Sequence, residues 1–278
     1  MRVDFHTHSD CSDGALSVAE LLQRARDNDV QMFAITDHDT VKGVHLAAQV
    51  QAGLGESLLR LVSGVELSTC WQGVSIHVVG LNFDPDSPSL AAYLAQIDQA
   101  RSDRAELIAN RLVKQGFQGA LEGALQIADG AVLGRPHFAR WLVQEGHCES
   151  LDKAFKRWLG RGKIGDVKSF WPDLELAVQA ITEAGGVAVL AHPHHYGMTR
   201  AKLKRLVLAF IEAGGQSIEM PLGTADTDSR LMVRRFASEL GLHLSLGSDY
   251  HADSAWGSPI GVETTLVGDN KGVWELWQ

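Results

Sequence analysis

The sequence predicts an α/β fold in which seven strands alternate with helices around a mostly parallel sheet. Three observations lead to this prediction. The length of 278 residues suits one α/β barrel, or one domain that carries an insertion. Short, nearly continuous apolar runs alternate with helical patterns, as in sheets that are covered by helices. Histidine and carboxylate side chains follow the ends of several runs, where barrels of this class place their functional groups.

The first part of the chain predicts four strands. A short strand at residues 3–5 comes first, and a capping-box pattern formed by Ser17 and Glu20 begins the first helix. A second strand is predicted at residues 31–36, and a helix follows at residues 41–53. Apolar runs at residues 59–67 and 74–83 predict the third and fourth strands.

Strand patterns stop between residues 89 and 162. Helical patterns follow one another there, at residues 90–115, 120–128, 136–145 and 151–159, with glycine-rich breaks between them. We therefore predict a small helical insertion, residues 91–164, that covers the C-terminal mouth of the sheet as a lid. Residues 1–90 and 165–278 would then form the metal-binding barrel itself.

The alternation of strands and helices resumes in the last third of the chain. Strands are predicted at residues 186–191, 216–220 and 243–247. Helices at residues 173–184, 201–213 and 224–240 separate them. No internal repeat or low-complexity linker interrupts this part of the sequence.

Composition narrows the class of protein. The 45% hydrophobic and 21% charged residues are typical of an ordinary globular protein, and no apolar run approaches the ~20 residues of a membrane span. The net charge of −9 argues against a broad basic surface for duplex DNA, although metal ions can still attract a small anion. Cys11, Cys70 and Cys148 are widely spaced, as in a reducing compartment. We expect a cytoplasmic protein without membrane contact or an obligatory protein partner.

Side chains of metal-ligand type follow at least five of the predicted strands. They are His6, His8, His38, Glu66, His192, Asp249 and His251. Because the C-terminal ends of parallel barrel strands share one face, these side chains are expected to meet in one pocket. His77 lies inside the fourth strand and is expected to reach the pocket from below. Imidazoles and carboxylates without cysteine suit zinc, manganese or iron, in a cluster rather than a closed structural zinc site.

The motifs around these residues resemble the PHP (polymerase and histidinol phosphatase) superfamily. The motifs are His6-Thr7-His8, Thr36-Asp37-His38-Asp39, Gly64-Val65-Glu66, His77, Ala191-His192-Pro193 and Gly247-Ser248-Asp249-Tyr250-His251. The resemblance covers roughly residues 1–90 and 165–278, and it implies a distorted (β/α)7 barrel with a trinuclear metal site. The opening segment and Gly134-Arg135-Pro136-His137 resemble the branch that removes the 3′-phosphate from nucleoside 3′,5′-bisphosphates. Some members of that branch are 5′–3′ exoribonucleases acting on short RNA.

The resemblance also implies a set of ligands for three divalent ions, Mn²⁺ first, with Zn²⁺ or Fe²⁺ as alternatives. The first ion would be held by His6, His8, Glu66 and Asp249, the second by Glu66, His77 and His192, and the third by Asp13, His38 and His251. Nine side chains shared among three ions leave positions open for water and phosphate oxygens, as a catalytic site requires.

Fewer signals identify the groups that contact the substrate. His194 and Asp13 are the two candidates for the acid that protonates the leaving sugar oxygen. Arg135 precedes a proline at the start of a predicted helix, where an anion is favoured, and is a candidate for binding the phosphate that is not cleaved. His137, Lys168 and His194 are further substrate-binding candidates. Trp171 and Phe170 can stack on a base, although an aromatic residue beside a proline is more typical of core packing.

Other readings of the same residues stay open. The phosphoesterase alternatives are an exoribonuclease that degrades short single-stranded RNA and a histidinol-phosphate phosphatase. A C–N amidohydrolase is a further alternative, because His-x-His on the first strand and an aspartate on the last strand occur in those barrels as well. A metal-stabilised module without activity is the non-enzymatic alternative, and the complete ligand set argues against it.

Overall fold

A computed structural model describes residues 1–53, 59–167, 171–223, 225–253 and 258–277. One mixed sheet of eight strands runs through these residues and curls into a half-barrel, with the strand order β7-β6-β5-β4-β3-β2-β1-β8. The strands are β1 (Arg2–Asp4), β2 (Val30–Ile35), β3 (Arg60–Trp71), β4 (Val74–Leu81), β5 (Val187–Leu190), β6 (Ser217–Glu219), β7 (His243–Ser245) and β8 (Val262–Glu263). The seven predicted strands are present, whereas the two-residue β8 was not predicted.

The prediction of a mostly parallel sheet is wrong for the centre of the sheet. Strands β1 to β3 are parallel, as are β5 to β7, but β4 runs antiparallel to both of its neighbours, and β8 is antiparallel to β1. Strands β3 and β4 form a hairpin whose two connecting residues, Gln72 and Gly73, have φ of 48° and 73°. Two positive φ values are typical of a type I′ turn, which matches the twist of the paired strands.

Two hydrogen bonds just beyond the C-terminal ends of β1 and β7 join the segments that follow these strands. The Phe5 amide donates to the Leu246 carbonyl at 2.9 Å, and the Asp249 amide donates to the His6 carbonyl at 2.8 Å. Strands β1 and β7 themselves do not pair. The first and last motifs of the chain therefore lie side by side.

Nine α-helices are found in the described residues, and their bounds lie close to the predicted ones. They are α1 (Val18–Asp27), α2 (Lys42–Gly53), α3 (Pro88–Val113), α4 (Ala120–Ala128), α5 (Arg135–Gln144), α6 (Leu151–Ala154), α7 (Leu174–Glu183), α8 (Arg200–Glu212) and α9 (Thr227–Leu240). The predicted capping box is present at the start of α1, where Ser17 and Glu20 bond to each other's backbone amides. A π-helical turn, Phe155–Leu159, continues α6. None of the described helices has the length and apolar character needed to cross a membrane.

Apolar side chains are buried in separate clusters. The largest cluster lies between the sheet and helices α7 to α9, and includes Val78, Leu190 and Phe210. Another cluster is formed by the later part of α3 with helices α4 to α6, around Leu112 and Phe138. The helices between residues 91 and 164 thus bury apolar surface among themselves, which is the main stabilising contribution to such a unit.

Candidate metal centre and substrate site

The structure brings the nine predicted ligand side chains together at one end of the half-barrel. Their donor atoms form four overlapping groups in which all atoms lie within 4.8 Å of one another. The groups are His8, Asp13, His38 and His251; His6, Glu66 and His192; His6, His8 and Asp249; and His38, Glu66 and His77. These clusters of imidazole and carboxylate groups can hold metal ions.

Glu66 lies at the centre of the nine side chains and is 1% exposed. Its Oε2 is 3.3 Å from the Nε2 atoms of both His6 and His8. Asp249 Oδ1 is 3.4 Å and 3.3 Å from the same two nitrogens. Two donors bound at about 2.1 Å to one tetrahedral ion are ~3.4 Å apart, so these spacings suit ligands of a common ion.

The second carboxylate oxygen of Glu66 faces a different pair of imidazoles. Glu66 Oε1 is 2.7 Å from His77 Nδ1 and 2.9 Å from His192 Nε2. On the opposite side, Glu66 Oε2 lies 3.0 Å from His38 Nδ1. One carboxylate therefore contacts imidazoles on both sides, which is the geometry of a bridging ligand.

Asp13 lies close to the remaining donor atoms, those of His251 and His38. Its Oδ1 lies 3.4 Å from His251 Nε2, and its Oδ2 lies 3.9 Å from His38 Nε2. The loop that carries Asp13 is held by Asp37, whose carboxylate accepts hydrogen bonds from the Ser9 amide, at 2.7 Å, and from the Ser12 hydroxyl, at 2.7 Å. Asp37 therefore positions Asp13 without contacting the donors itself.

Several buried nitrogens in this cluster have no hydrogen-bond partner among the described residues. They include Nε2 of His6, both ring nitrogens of His8 and Nδ1 of His38. A buried polar atom without a partner costs about 1–3 kcal/mol, and native proteins rarely leave several of them close together. Converging lone pairs of this kind fit metal ions, which would bind them directly.

The position of His77 differs from the prediction. Strand β3 continues five residues past Glu66, and the antiparallel register places His77 opposite Ser68. His77 therefore approaches the cluster from the hairpin that extends above it, and not from below. The reversal of β4, which the prediction lacked, is the cause of this difference.

Sequence reasoning missed Glu219, which ends β6 and is 4% exposed. Its Oε1 lies 2.7 Å from His6 Nδ1, and its Oε2 accepts a hydrogen bond from the His192 amide at 2.5 Å. This carboxylate sets the ring orientation of His6, so that Nε2 faces Glu66 and Asp249. The sequence did contain a signal for Glu219, because it is a carboxylate at the end of a predicted strand. The same kind of signal identified Glu66.

Charge interactions in the cluster move several pKa values. Burial alone would raise the pKa of Asp13, but His38 and His251 lower it well below its ordinary value. Burial would likewise lower the pKa of His251, but its hydrogen bond to Asp13 and the charge of Asp13 raise this pKa to about 9. For His38, burial dominates and lowers the pKa to about 3. Burial would also raise the pKa values of Glu66 and Asp249, but the surrounding histidines lower them, so Asp13, Glu66 and Asp249 are anionic at neutral pH.

Two residues of the cluster have a strained backbone. His192 has φ of 27° and Asp249 has φ of 53°, a region that residues other than glycine rarely occupy. A Cβ atom at the nearby Gly247 would lie 2.3 Å from His6 Cβ, so only glycine permits this approach of the two chain segments. Strain of this kind is typical of functional sites.

The substrate-binding candidates lie in different environments. Arg135 is the first residue of α5, where its Nη1 donates to the Leu159 carbonyl at 3.2 Å and lies 3.8 Å from Asp166. His137 is 1% exposed, and its Nδ1 accepts a hydrogen bond from the Gly134 amide at 3.0 Å, which caps the same helix. Lys168 and Phe170 lie outside the described residues.

His194 lines a cavity of about 160 Å³ beside Glu219 and Asp249. Its ring centre lies 3.9 Å from that of His195, and the His195 ring stacks on His192 at 5.4 Å. Burial, and then repulsion from His195, lower the pKa of His194 to about 4. His194 is therefore neutral at pH 7 in the protein alone.

Trp171 does not offer a free face for a base. It is 8% exposed and belongs to the main hydrophobic core. The guanidinium carbons of Arg101 and Arg104 lie 5.5 Å and 5.3 Å from its ring centre. Core packing and cation–π contacts account for this side chain.

Known proteins that are similar to this chain bear names of enzymes that act on phosphoric esters. A relative from Haemophilus influenzae, named 5'-3' exoribonuclease, is 41% identical over 274 residues, which is 99% of this chain and 98% of the relative. A relative from Chromobacterium violaceum, named 3',5'-nucleoside bisphosphate phosphatase, is 38% identical over 273 residues, which is 98% of this chain and 95% of the relative.

A solved structure from Chromobacterium violaceum shares the fold with a TM-score of 0.89. It is named as an amidohydrolase with bound sulfate, is 37% identical in sequence, and matches over 99% of this chain and 95% of its own. The model of the PHP domain family matches residues 4–159. That match includes more than half of the chain and contains the strand ends that carry His6, His38 and Glu66. The chain therefore belongs to the PHP domain family and is a metal-dependent phosphoesterase.

Proposed function

We propose that this protein removes the 3′-phosphate from nucleoside 3′,5′-bisphosphates, for example converting adenosine 3′,5′-bisphosphate to AMP and phosphate. The observation that carries the proposal is the position of Glu66, with one carboxylate oxygen facing His6 and His8 and the other facing His77 and His192. A relative of nearly the same length bears the name of this activity. The substrate is thus a small phosphorylated nucleotide.

The proposed cofactors are three divalent ions, Mn²⁺ first, with Zn²⁺ or Fe²⁺ as alternatives. His6, His8, Glu66 and Asp249 would hold the first ion, Glu66, His77 and His192 the second, and Asp13, His38 and His251 the third. The distances from Glu66 and Asp249 to His6 and His8, from Glu66 to His77 and His192, and from Asp13 to His251 support this division. Two closely spaced donor groups cut across it, one of His38, Glu66 and His77 and one of His6, Glu66 and His192. Bound ions of this kind supply a hydroxide at neutral pH and neutralise the phosphoryl oxygens. Glu219 and Asp37 keep the imidazoles and the Asp13 loop in place.

His194 is the proposed acid for the departing sugar oxygen, and Asp13 is the alternative. Asp13 has a pKa well below its ordinary value, because His38 and His251 outweigh the effect of burial, and this disfavours it as a proton donor. A phosphate dianion beside the His194 ring would raise its lowered pKa, since an opposite charge favours the protonated form. His194→Asn should lower turnover and leave bound metal unchanged, whereas His45→Asn on α2, which replaces a half-exposed histidine paired with Asp86, is the control and should keep normal turnover. Normal turnover of His194→Asn would remove this residue from the mechanism.

The proposed substrate contacts line two different cavities. Arg135, which binds the phosphate that is not cleaved, lines a small cavity at the start of α5, and His194 lines the cavity beside Glu219 and Asp249. His137 and Lys168 are the weaker candidates. The ring nitrogen Nδ1 of His137 is already used to cap α5, which leaves only its other nitrogen for a ligand.

Residues 91–164 are proposed as a lid beside the barrel formed by residues 1–90 and 165–278. The separate apolar cluster of helices α3 to α6 supports this division. Two hydrogen bonds join these helices to the opening loop: Arg140 Nη2 donates to the Asp13 carbonyl at 2.7 Å, and the Val132 amide donates to the Cys11 carbonyl at 3.1 Å. A movement of these helices would therefore displace the loop that carries Asp13.

A 5′–3′ exoribonuclease acting on short RNA is the main alternative, and the name of the Haemophilus influenzae relative favours it. Both activities require hydrolysis of a phosphoric ester beside a second phosphate, so one centre can serve either substrate. Histidinol-phosphate hydrolysis, amide hydrolysis and a non-enzymatic role are lesser alternatives. We also propose a cytoplasmic location, which the three free cysteines support.

The deciding experiment measures hydrolysis by the Mn²⁺-loaded protein of several substrates at matched concentrations, as phosphate release from the monoesters and as nucleoside monophosphate release from the oligoribonucleotides. The substrates are adenosine 3′,5′-bisphosphate, 3′-AMP, histidinol phosphate and 5′-phosphorylated oligoribonucleotides, with ammonia release from amides measured in parallel. We expect the highest kcat/KM on the bisphosphate. A clear preference for histidinol phosphate, for oligoribonucleotides or for an amide would overturn the proposal in favour of the corresponding alternative.

A further inference from the structure

The hydroxyl group of Tyr196 lies between strands β4 and β5 at the point where the two strands separate. Their antiparallel pairing extends as far as Val78 and Leu190. The next two residues, His77 and Ala191, share a single backbone hydrogen bond in the described part of the chain, from the Ala191 amide to the His77 carbonyl at 3.2 Å. A regular pair of this kind exchanges two such bonds. The regular ladder therefore ends at His77, which is a candidate metal ligand.

Tyr196 takes the place of the second bond. The His77 amide donates to the Tyr196 hydroxyl oxygen at 3.1 Å, and the hydroxyl donates to the Ala191 carbonyl at 2.7 Å. The His77 carbonyl, 3.3 Å from the same hydroxyl, is a more distant acceptor. One hydroxyl group can accept and donate at once, because it carries a proton and two lone pairs. An oxygen atom is thus inserted between the two strands where a direct bond would bring them together.

The ring of Tyr196 contacts the other candidate ligand at this point. Tyr196 ends the 3₁₀ turn Pro193–Tyr196, which begins directly after His192. Its ring packs against the main hydrophobic core, and the ring centre lies 5.7 Å from that of His192, with an angle of 66° between the planes. The backbone of His192 is strained, and such a conformation persists where the surrounding structure holds it. Tyr196 therefore contacts the backbone of His77 and the imidazole of His192.

The spacing of these two imidazoles matters because both face the same oxygen of Glu66. Their ring centres are 5.2 Å apart, and Glu66 Oε1 lies 2.7 Å from His77 Nδ1 and 2.9 Å from His192 Nε2. Without the hydroxyl, the His77 amide and the Ala191 carbonyl would either bond directly or lose a partner. Direct bonding would draw the two segments together, and a lost partner would destabilise the present arrangement. Both outcomes would alter the geometry of the donors around Glu66.

We propose that Tyr196 is a positioning residue for the second ion of the metal centre. Its hydroxyl, inserted between β4 and β5, sets the spacing of His77 and His192 around Glu66. The inference rests on the grouping of ligands given with the proposed function. Tyr196 acts through these two histidines, since its hydroxyl is engaged by backbone groups.

The test is a calorimetric titration of Mn²⁺ into chelator-treated protein, which requires no turnover. His192→Asn identifies the binding step that belongs to the second ion. We expect Tyr196→Phe to weaken that step about 10–100-fold, as is typical when a residue that orients a ligand is replaced, and to leave the other steps unchanged. Tyr93→Phe is the matched control, because it removes a buried hydroxyl that donates only to the Ser68 carbonyl, at 2.9 Å, and all of its Mn²⁺ affinities should be normal.

A purely structural role for Tyr196 predicts a different result. It would lower the Tm of metal-free Tyr196→Phe and leave every Mn²⁺ affinity as in the wild-type protein, and that outcome would overturn the inference. An equal loss at every binding step would overturn it as well, because the hydroxyl contacts only the segments that carry His77 and His192.

A second measurement uses the wild-type protein and keeps the inference testable even if Tyr196→Phe does not fold. Hydrogen exchange at the His77 amide requires its bond to the Tyr196 hydroxyl to open. An ion held by His77 and His192 would resist that opening, so added Mn²⁺ should slow the exchange of this amide. An exchange rate that does not respond to Mn²⁺ would contradict the coupling.

Failure of the inference is distinguishable from failure of the proposed function. If the wild-type protein prefers the bisphosphate but Tyr196→Phe binds every ion normally, the positioning role is wrong and the activity stands. If Tyr196→Phe loses the second ion selectively but the wild-type protein prefers another substrate, the positioning role stands and the proposed activity is wrong. If His192→Asn affects no separate binding step, the grouping of ligands is wrong and the inference is overturned with it.

Discussion

At the level of single residues, two glutamates at strand ends have different partners. Glu66 lies among unpaired imidazole nitrogens, whereas Glu219 forms conventional hydrogen bonds to His6 Nδ1 and to the His192 amide. A carboxylate behind a metal-binding imidazole fixes its tautomer and raises its basicity. Glu219 is therefore a positioning residue for His6, and Glu66 is placed to contact the ions.

We predict that replacing Glu219 weakens metal binding. Glu219→Ala leaves His6 Nδ1 and the His192 amide without acceptors, so Mn²⁺ affinity should fall about 10–100-fold. Glu219→Gln keeps one acceptor oxygen and should lose less. The measurement is a calorimetric Mn²⁺ titration, and the exposed Glu239→Gln on α9 serves as the control. Normal Mn²⁺ affinity in Glu219→Ala would contradict the positioning role.

The pH dependence of metal binding follows from the same residues. The pKa of His251 is about 9, because Asp13 outweighs the effect of burial, and Glu219 and Glu66 raise the pKa of His6 against the opposing effect of burial. Below those pKa values the imidazoles are protonated, and a metal must displace the protons. Mn²⁺ affinity should therefore increase from pH 6 to pH 9, by about tenfold per pH unit for each proton released. Titrations in buffers of different ionisation enthalpy would count the protons, and an affinity independent of pH would contradict the assignment.

At the level of secondary-structure elements, the hairpin of β3 and β4 determines where His77 lies. Register in a hairpin is set by its turn, and a shift of one residue would move every side chain to the opposite face. The turn residues Gln72 and Gly73 both have positive φ. The position of His77, opposite Ser68, therefore depends on a turn that lies several residues away.

We predict that Gly73→Ala lowers the free energy of unfolding by about 1–2 kcal/mol, because an L-residue is disfavoured at positive φ. Urea denaturation measures this change. Gly53→Ala is the matched control, because Gly53 ends a helix with open space around the site of the new Cβ, and we expect no loss of stability there. Equal stabilities of Gly73→Ala and Gly53→Ala would exclude the strained turn.

At the level of the whole molecule, the cluster joins the two ends of the described chain. His6 and His8 follow the first strand, whereas Asp249 and His251 follow the seventh. Asp4 further connects these segments, accepting hydrogen bonds from the Ser248 and Gly261 amides at 2.9 Å each. Metal ions bound by these side chains would link the segments that follow the first and seventh strands, which do not pair with each other.

Metal binding should therefore stabilise the entire fold. At 100 times its dissociation constant, one ion contributes about 2.7 kcal/mol, and each kcal/mol raises the Tm of a protein of 150–250 residues by about 2–4 °C. Addition of Mn²⁺ to chelator-treated protein should thus raise the Tm by about 5–10 °C for each ion bound. Asp249→Asn should reduce this shift, and the exposed Asp253→Asn should preserve it. A Tm unaffected by Mn²⁺ in the wild-type protein would contradict the metal centre.

The order of elements and the identity of the donor residues could be predicted from the sequence because both depend on local patterns. Ser17 and Glu20 lie three residues apart, and His6 and His8 share one side of a short strand, so neither required knowledge of the fold. The reversal at Gln72 and Gly73 also had a local signal that was missed, because the link between the apolar runs at residues 59–67 and 74–83 is too short for a parallel crossover. The family resemblance supplied the grouping of donors that the separate patterns lacked.

Contacts between residues that are far apart in the sequence depend on the tertiary structure. The contact of Glu219 with His6 and the approach of Arg104 to Arg135 depend on how the sheet curls and how α3 lies against α5. Distances of this kind are set by packing over many residues, which no local pattern encodes. Local patterns thus identified the candidate side chains, and the folded chain set which of their nitrogen and oxygen atoms face one another.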